Sequence, residues 1–293
     1  MKTFPTLYLS HGSPMTALEP REAGHFMQRL GPALVACFGM PTAIVAISAH
    51  TLTREPVLLG ATRHEAVYDF SGFDPQLQTL RYSAAGAPEL AARAAAMLND
   101  AGLPAHSSTG SGLDHGIWTP LRYMFPAAPV PVLPLGWPPN WSPAQLFALG
   151  RALAPLAREG VLVMGTGSIT HNLRRVFASG RDAAVDRAAT PESTAFRDWF
   201  ATHTAAGDWE ALLDYRRQAP HAVLMHPTDE HLLPFFVAAG AAASTADGVV
   251  TGERLHASLT FGDLGMDAYA FGAGAPGLAA ALAHSLTQGG PGT

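Results

Sequence analysis

Histidines that follow apolar runs are the residues of this chain whose type and position best suit chemistry. His11 comes directly after the apolar run Thr6–Ser10, and His50 comes two residues after the run Ala43–Ser48. Each imidazole alone is as compatible with a hydrogen-bonded core histidine as with a metal ligand. Neutral imidazoles at two neighbouring strand ends are, however, a simple beginning for a first coordination shell. Together the two histidines favour a metal site.

Two more histidines lie in glycine-containing segments. His171 follows the turn at 165–168, Gly-Thr-Gly-Ser, which lacks the GxxxxGK[ST] pattern of a phosphate-binding loop. We interpret its glycines as positions where the backbone can approach a bound ring. His115 lies between Gly112 and Gly116, which predicts a polar loop rather than packed core.

The segment 226–231, His-Pro-Thr-Asp-Glu-His, is the densest cluster of potential ligands. Its threonine can cap a helix whose first turn carries the two acids, at the positive end of the helix dipole. That arrangement predicts that His231 lies in a first helical turn, a rigid place for a ligand. His226 precedes Pro227, so orienting the turn or the substrate is as compatible with its position as coordination.

The remaining histidines lack a flanking turn or strand end that would direct them to a site. We interpret them as surface or hydrogen-bonded core residues: His25, His64, His106, His203, His221, His256 and His284. Cys37, the only cysteine, also has no local signature of a nucleophile.

Short apolar runs rich in β-branched residues predict the strands that position these histidines. They are Thr6–Ser10, Ala43–Ser48, 130–135, 160–164 and 255–261. Segments with helical spacing alternate with them at 88–101, 143–158 and 194–205, and alanine-rich helix is expected at 238–243 and 272–283. The alternation predicts an α/β fold, a single domain with a central mixed, mainly parallel sheet flanked by helices. Ligand sites in such sheets form at the carboxyl ends of the strands, where His11, His50 and His171 fall.

Length and composition favour one catalytic domain over residues 1–287, followed by a flexible Gly/Pro-rich tail at 288–293. The net charge is −5 and the basic residues are scattered, which predicts neither nucleic acid nor membrane as a partner. No stretch reaches the roughly 18 apolar residues of a membrane span, and the first residues do not resemble a signal peptide. We expect a cytoplasmic monomer or small homo-oligomer.

Six motifs occur in a fixed order along the chain. They are His11-Gly12-Ser13-Pro14-Met15, Ser48-Ala49-His50, Tyr68-Asp69-Phe70-Ser71-Gly72-Phe73, Leu113-Asp114-His115-Gly116, the segment 165–172 and the segment 226–234. The ordered set resembles the class III extradiol ring-cleavage dioxygenases, specifically the 4,5-DOPA dioxygenase extradiol branch. Each motif alone is weak, but their order is specific, and the match extends from about residue 6 to about residue 261.

The resemblance implies a mononuclear non-haem Fe(II) site whose ligands are His11, His50 and His231. It also implies that His171 is the catalytic acid/base residue, and that His115 donates a hydrogen bond in the substrate pocket. The substrates that the resemblance implies are O2 and a catechol, whose ring is opened beside its hydroxyls. A histidine with a near-ordinary pKa can take up and return the protons of that reaction.

The commoner Fe(II) site has two histidines and a carboxylate, which makes Glu230 the alternative to His231 as the third ligand. Zn(II) binds the same imidazoles, so the purified protein can carry zinc, which cannot change valence with O2. The candidates for the pocket walls are Asp69, Phe70, Phe73, Trp118 and Trp137.

Two other functions fit the same histidines. A zinc-dependent hydrolase also needs three histidines, an open position and a nearby base, although the HExxH motif of the commonest metalloproteases is absent from the sequence. A non-enzymatic binding protein on the same fold is the second alternative.

Overall fold

The computed structural model describes residues 3–178, 184–243 and 249–288. Strands in these residues are β1 (Thr6–Ser10), β2 (Ala43–Ser48), β3 (Val57–Leu59), β4 (Arg63–Glu65), β5 (Ser83–Ala85), β6 (His106–Ser108), β7 (Val132–Gly136), β8 (Val161–Gly167), β9 (Gly252–His256), β10 (Leu259–Thr260), β11 (Leu264–Gly265) and β12 (Ala268–Phe271). Eight of them form one sheet in the order β6-β3-β7-β2-β8-β1-β12-β9, and β4 pairs with β5 and β10 with β11.

Helices cover both faces of the large sheet. They are α1 (Arg21–Phe38), α2 (Pro88–Asp100), α3 (His115–Met124), α4 (Pro143–Leu153), α5 (Leu173–Ala178), α6 (Pro191–Ala206), α7 (Trp209–Leu213), α8 (Tyr215–Gln218), α9 (Ala222–Met225), α10 (Pro234–Ala241) and α11 (Ala275–Gln288). Short 3-10 helices occur at Pro14–Ala17, Pro75–Thr79 and Ala154–Glu159. In the described ranges, no helix has both the length and the apolar character needed to cross a membrane.

The centre of the sheet is parallel and its flanks are mixed. Strands β7, β2, β8 and β1 run parallel to one another, whereas β3 pairs antiparallel with β7, β12 with β1, and β9 with β12. The structure therefore confirms the predicted α/β class. Ser10 of β1 pairs with Gly167 of β8, and Ser48 of β2 pairs with Thr166 of β8. The three strands consequently end at one edge.

Strands β1 and β2 are fully buried because both faces of the sheet are covered. Alternate side chains of β1 pack into two hydrophobic cores on opposite faces of the sheet. Leu7 and Leu9 pack with α1, α3 and α11, whereas Tyr8 packs with α4 and α10. The continuous apolar runs are thus the sequence signature of strands buried between two helix layers.

The predicted bounds are confirmed for β1 and β2 and nearly so for β7. The predicted turn at 165–168 is wrong, because β8 continues through Gly167. The predicted single strand at 255–261 is wrong, because β9 ends at His256 and β10 is a separate short strand. Phe261 and Gly262 adopt positive φ angles of 55° and 73°, which end β10. Helix α11 continues to Gln288, and the rest of the predicted tail lies outside the described residues.

Candidate metal centre

Five histidines meet at the carboxyl edge of β2, β8 and β1. Centroids of the His11 ring lie 5.1 Å from His50, 5.2 Å from His115 and 5.6 Å from His231. His50 and His115 are 4.1 Å apart, and His171 stacks on His231 at 3.5 Å. The sequence-predicted site residues are therefore neighbours in space, although they are distributed over more than two hundred positions of the chain.

The nitrogens of three of these rings point towards one another. His11 Nε2 and His50 Nε2 are 3.1 Å apart, and one ligand atom from each of His11, His50 and His231 falls within 4.8 Å of the others. Two nitrogens bound to one ion at about 2.1 Å lie at most about 4.2 Å apart, so the His11–His50 spacing suits a shared cation. Among the described residues, each further group of three potential ligands uses His50 or His231 again.

His231 is oriented by the carboxylate next to it. Its Nδ1 lies 3.0 Å from Glu230 Oε1, and because an ionised carboxylate only accepts, Nδ1 carries the proton. The lone pair of the neutral ring is then at Nε2. Burial raises the pKa of Glu230, but the hydrogen bonds from His231, Thr228 and the backbone, together with the charge of His231, lower it by more, and the pKa falls to about 2. Burial also lowers the pKa of His231, so its ring is neutral and able to bind a metal.

The predicted helix over the acids of this segment is wrong. Residues 226–233 form an irregular turn, and α10 begins only at Pro234. The carbonyl oxygen of His231 instead accepts hydrogen bonds from Tyr8 Oη at 2.8 Å and from the Ser168 backbone at 2.9 Å. The turn is thus bound to β1 and to the end of β8, which keeps the 231 ring at the sheet edge.

Gly165 and Gly167 lie in β8 rather than in a turn, and they have a different purpose from the one expected. A Cβ atom at Gly167 would lie 1.9 Å from the carbonyl oxygen of His231, and one at Gly165 would lie 2.4 Å from that of Pro234. The glycines therefore admit the backbone of the 226–233 turn and of α10, not a bound ring.

His115 is the first residue of α3 and is buried, so the expectation of a polar loop is wrong. The reason is Asp69, whose Oδ1 accepts from both the backbone N–H and Nδ1 of His115 at 3.0 Å each. Burial raises the pKa of Asp69, but the hydrogen bonds from His115 and the charges of His115 and His50 together lower it by more. Asp69 Oδ2 also lies 3.7 Å from His50 Nδ1, so one carboxylate faces two site histidines.

His171 lies over His231 with the two ring planes only 10° apart. Its backbone N–H donates to Met225 O at 2.9 Å. Burial lowers the pKa of His171 to about 4, although the nearby Glu230 carboxylate opposes this shift. This pKa is below the near-ordinary value expected from the sequence. The ring is therefore neutral at neutral pH and free to accept a proton.

His226 lies behind the site and is completely buried. Its Nε2 donates to the carbonyl oxygen of Ile169 at 2.9 Å, two residues before His171. Among the alternatives left by the sequence, this contact favours orientation of the loop.

Aromatic residues of the 68–73 segment border the histidines. The Phe70 ring contacts His115 edge-on with centroids 5.6 Å apart, and Phe73 contacts Phe70 and is 41% exposed. Trp118 and Trp137, in contrast, are buried in the core, with indole N–H groups bound to backbone carbonyls. Two of the proposed wall aromatics are therefore placed beside the site and two are not.

Comparisons with known proteins identify relatives of this chain. Residues 5–272 match the family described as the catalytic LigB subunit of aromatic ring-opening dioxygenase. A 4,5-DOPA dioxygenase extradiol from Beta vulgaris is 35% identical over 268 residues, which cover 91% of this chain and 96% of that protein. One with the same name from Escherichia coli K12 is 35% identical, covering 81% and 84%. The crystal structure of an uncharacterized protein from Escherichia coli K12 superposes with a TM-score of 0.71 at 29% identity, covering 91% and 99%.

Proposed function

The chain belongs to the LigB family of class III extradiol ring-cleavage dioxygenases, and from that premise we propose that it opens a DOPA-like catechol with O2. The proposed cofactor is a non-haem Fe(II) held by His11, His50 and His231.

The observation that carries this proposal is the convergence of the imidazoles of His11, His50 and His231 at the carboxyl edge of the sheet. Their donor set suits a divalent transition metal, since imidazole is a good ligand for iron and zinc. The 3.1 Å approach of His11 Nε2 and His50 Nε2 fits two ligands of a single ion. Bound Fe(II) would supply a path for electrons between the catechol and O2.

His171 is proposed to accept the proton of a catechol hydroxyl as the substrate binds. The ring is neutral at neutral pH because burial lowers its pKa to about 4, and it stacks on the His231 ring. A residue that takes and later returns a proton must lie within hydrogen-bond reach of the reacting group. Its place over His231, next to the proposed ligand nitrogens, supports that role.

His115 is proposed to contact the substrate through Nε2. Its Nδ1 proton is bound to Asp69, so Nε2 accepts a hydrogen bond when the ring is neutral. To donate from Nε2, as the family resemblance implies, the ring must carry both protons, and the Asp69 carboxylate would then balance its charge. The adjacent edge of Phe70 would border the aromatic ring of the substrate.

The zinc hydrolase and the binding protein are less well supported. The relatives with 35% identity over most of their length carry the name of a ring-cleaving dioxygenase. The chain also has histidines for all the metal-binding and proton-transfer roles that the family resemblance implies. A zinc-loaded form is expected to bind the catechol without turning it over.

Oxygen consumption after anaerobic loading tests the proposal. We expect the Fe(II) protein to consume O2 in step with a catechol and to release a yellow ring-opened product, and the Zn(II) protein to do neither. His50→Ala should abolish turnover, whereas His25→Ala, on the exposed side of α1, should not. Ester or amide hydrolysis by the Zn(II) form, without O2 uptake by the Fe(II) form, would contradict the dioxygenase.

A further inference from the structure

Thr166 is a fully buried polar residue near the end of β8. It pairs with Leu9 of β1 on one side and with Ser48 of β2 on the other. These are the two strands that lead to His11 and His50. The threonine side chain is therefore at the centre of the edge on which the histidines converge.

The hydroxyl of Thr166 makes two hydrogen bonds, one as donor and one as acceptor. Its Oγ1 lies 2.8 Å from the carbonyl oxygen of Gly116 and 2.9 Å from Nδ1 of His11. A hydroxyl has one proton to donate and a carbonyl can only accept, so the proton goes to Gly116. The oxygen must then accept from His11, which requires a proton on Nδ1. The neutral His11 ring consequently has its lone pair at Nε2, the atom that faces His50.

We propose that Thr166 is a positioning residue that sets the tautomer and ring orientation of His11 and thereby raises the affinity of the site for a divalent metal. The inference rests on the proposed function only in taking His11 as a ligand. Glu230 has the same relation to His231, but Thr166 orients its histidine without adding a charge.

The backbone around His11 leaves little freedom for the ring. A Cβ atom at Gly116 would be 3.0 Å from His11 Cε1 and 2.5 Å from Ser48 Oγ. Helix α3 therefore contacts the His11 ring with the backbone of a glycine, where no side chain would fit. His11 is only 2% exposed, and water has little access to replace a lost acceptor. Without the hydroxyl, either the Nδ1 proton stays unpaired or it moves to Nε2 and blocks coordination.

Three substitutions separate this role from general packing. Thr166→Val keeps the shape and removes the hydroxyl, and Thr166→Ser keeps the hydroxyl. The matched control is Thr6→Val, because Thr6 is a buried strand threonine whose hydroxyl donates to Ala238 O, away from the histidines. The probe is Zn(II) alone, measured by competition with a chromophoric chelator, together with the melting temperature of each metal-free protein.

We expect Thr166→Val to weaken Zn(II) binding by about 10–100-fold, as removal of a group that orients a ligand typically does. Thr166→Ser should bind within a few fold of wild type, and Thr6→Val should lower the melting temperature without changing the affinity. Unchanged Zn(II) affinity in Thr166→Val, or an equal loss in Thr6→Val, would overturn the inference.

Nitrogen NMR of the histidine rings gives a second measurement that does not need the valine variant to fold. We expect the proton of neutral His11 to be on Nδ1 in wild type and in Thr166→Ser. A proton on Nε2 in wild type would overturn the inference. If His11→Ala binds Zn(II) as tightly as wild type, the proposed metal site fails instead, so the two failures are distinguishable.

Discussion

Glu230 and His231 are adjacent residues to which we assign different parts of the metal site, and substitution of each tests the assignment. His231→Ala removes a ligand nitrogen. Glu230→Gln keeps an oxygen in the position of Oε1, where it can still accept from His231 Nδ1 at 3.0 Å and from the Thr228 hydroxyl at 3.1 Å. Glu230→Ala removes that acceptor while leaving the ligand in place.

The expected losses of affinity differ because the groups act at different distances from the metal. Loss of an orienting partner in Glu230→Ala should weaken binding by about 10–100-fold, or roughly 1.4–2.8 kcal/mol. His231→Ala should cost more than the upper end of that range, and Glu230→Gln should remain within a few fold of wild type. Asp229→Asn is the matched control, because Asp229 pairs with Arg216 at 3.0 Å rather than with a site histidine.

Zn(II) competition titration and anaerobic Fe(II) binding give the affinities directly. Retention of metal by His231→Ala, combined with its loss in Glu230→Gln, would refute the three-histidine site. That pattern would instead assign the third ligand to the carboxylate, as in the commoner two-histidine triad.

Two other substitutions test proton transfer and packing. His171→Gln should retain Fe(II) and bind catechol but turn over about 10²–10⁴-fold more slowly, because it removes the basic nitrogen. Single-turnover kinetics on protein of known metal content measure this rate. If the purified variant contains no iron under conditions that load the wild type, His171 is a ligand instead. Gly167→Ala should lower the free energy of unfolding by about 1–3 kcal/mol, since its Cβ would meet a backbone oxygen at 1.9 Å. Gly277→Ala, exposed in α11 with nothing within 4 Å of its Cβ, should instead raise it by about 0.5–1 kcal/mol in denaturant titrations, and equal destabilisation of both would contradict the close-approach argument.

The part of the fold that the sequence predicts best is the part buried on both sides. β1 and β2 are unbroken apolar runs that end in serine, and their bounds are as predicted. Helix α1 escaped prediction, although it has 18 residues, because Gly31 and Pro32 lie inside it and are typical helix breakers. Its apolar face against α3 supplies the stabilisation that local propensity does not.

Long-range hydrogen bonds account for what was missed in the site. His11, His50 and His171 were predictable because each follows a strand. The groups that orient His11 and His115, however, lie far away in sequence. Thr166 is 155 positions from His11, and Asp69 is 46 positions from His115. The 226–233 turn was mistaken for a helix start because its threonine and acids match a capping pattern. The carbonyl oxygen of His231 instead accepts a hydrogen bond from Tyr8, a residue distant in sequence.

The position of β1 within the sheet has a consequence for synthesis of the protein. β1 is made first, yet its neighbours are β8 and β12, which begin at Val161 and Ala268. At about 5–20 residues per second, a ribosome needs roughly 8–30 s to make the intervening chain to β8, and the apolar strand has no sheet partner during that time. We expect nascent chains that end before Val161 to bind chaperones through β1. Metal uptake by the proposed three-histidine site would begin later still, after His231 has left the ribosome.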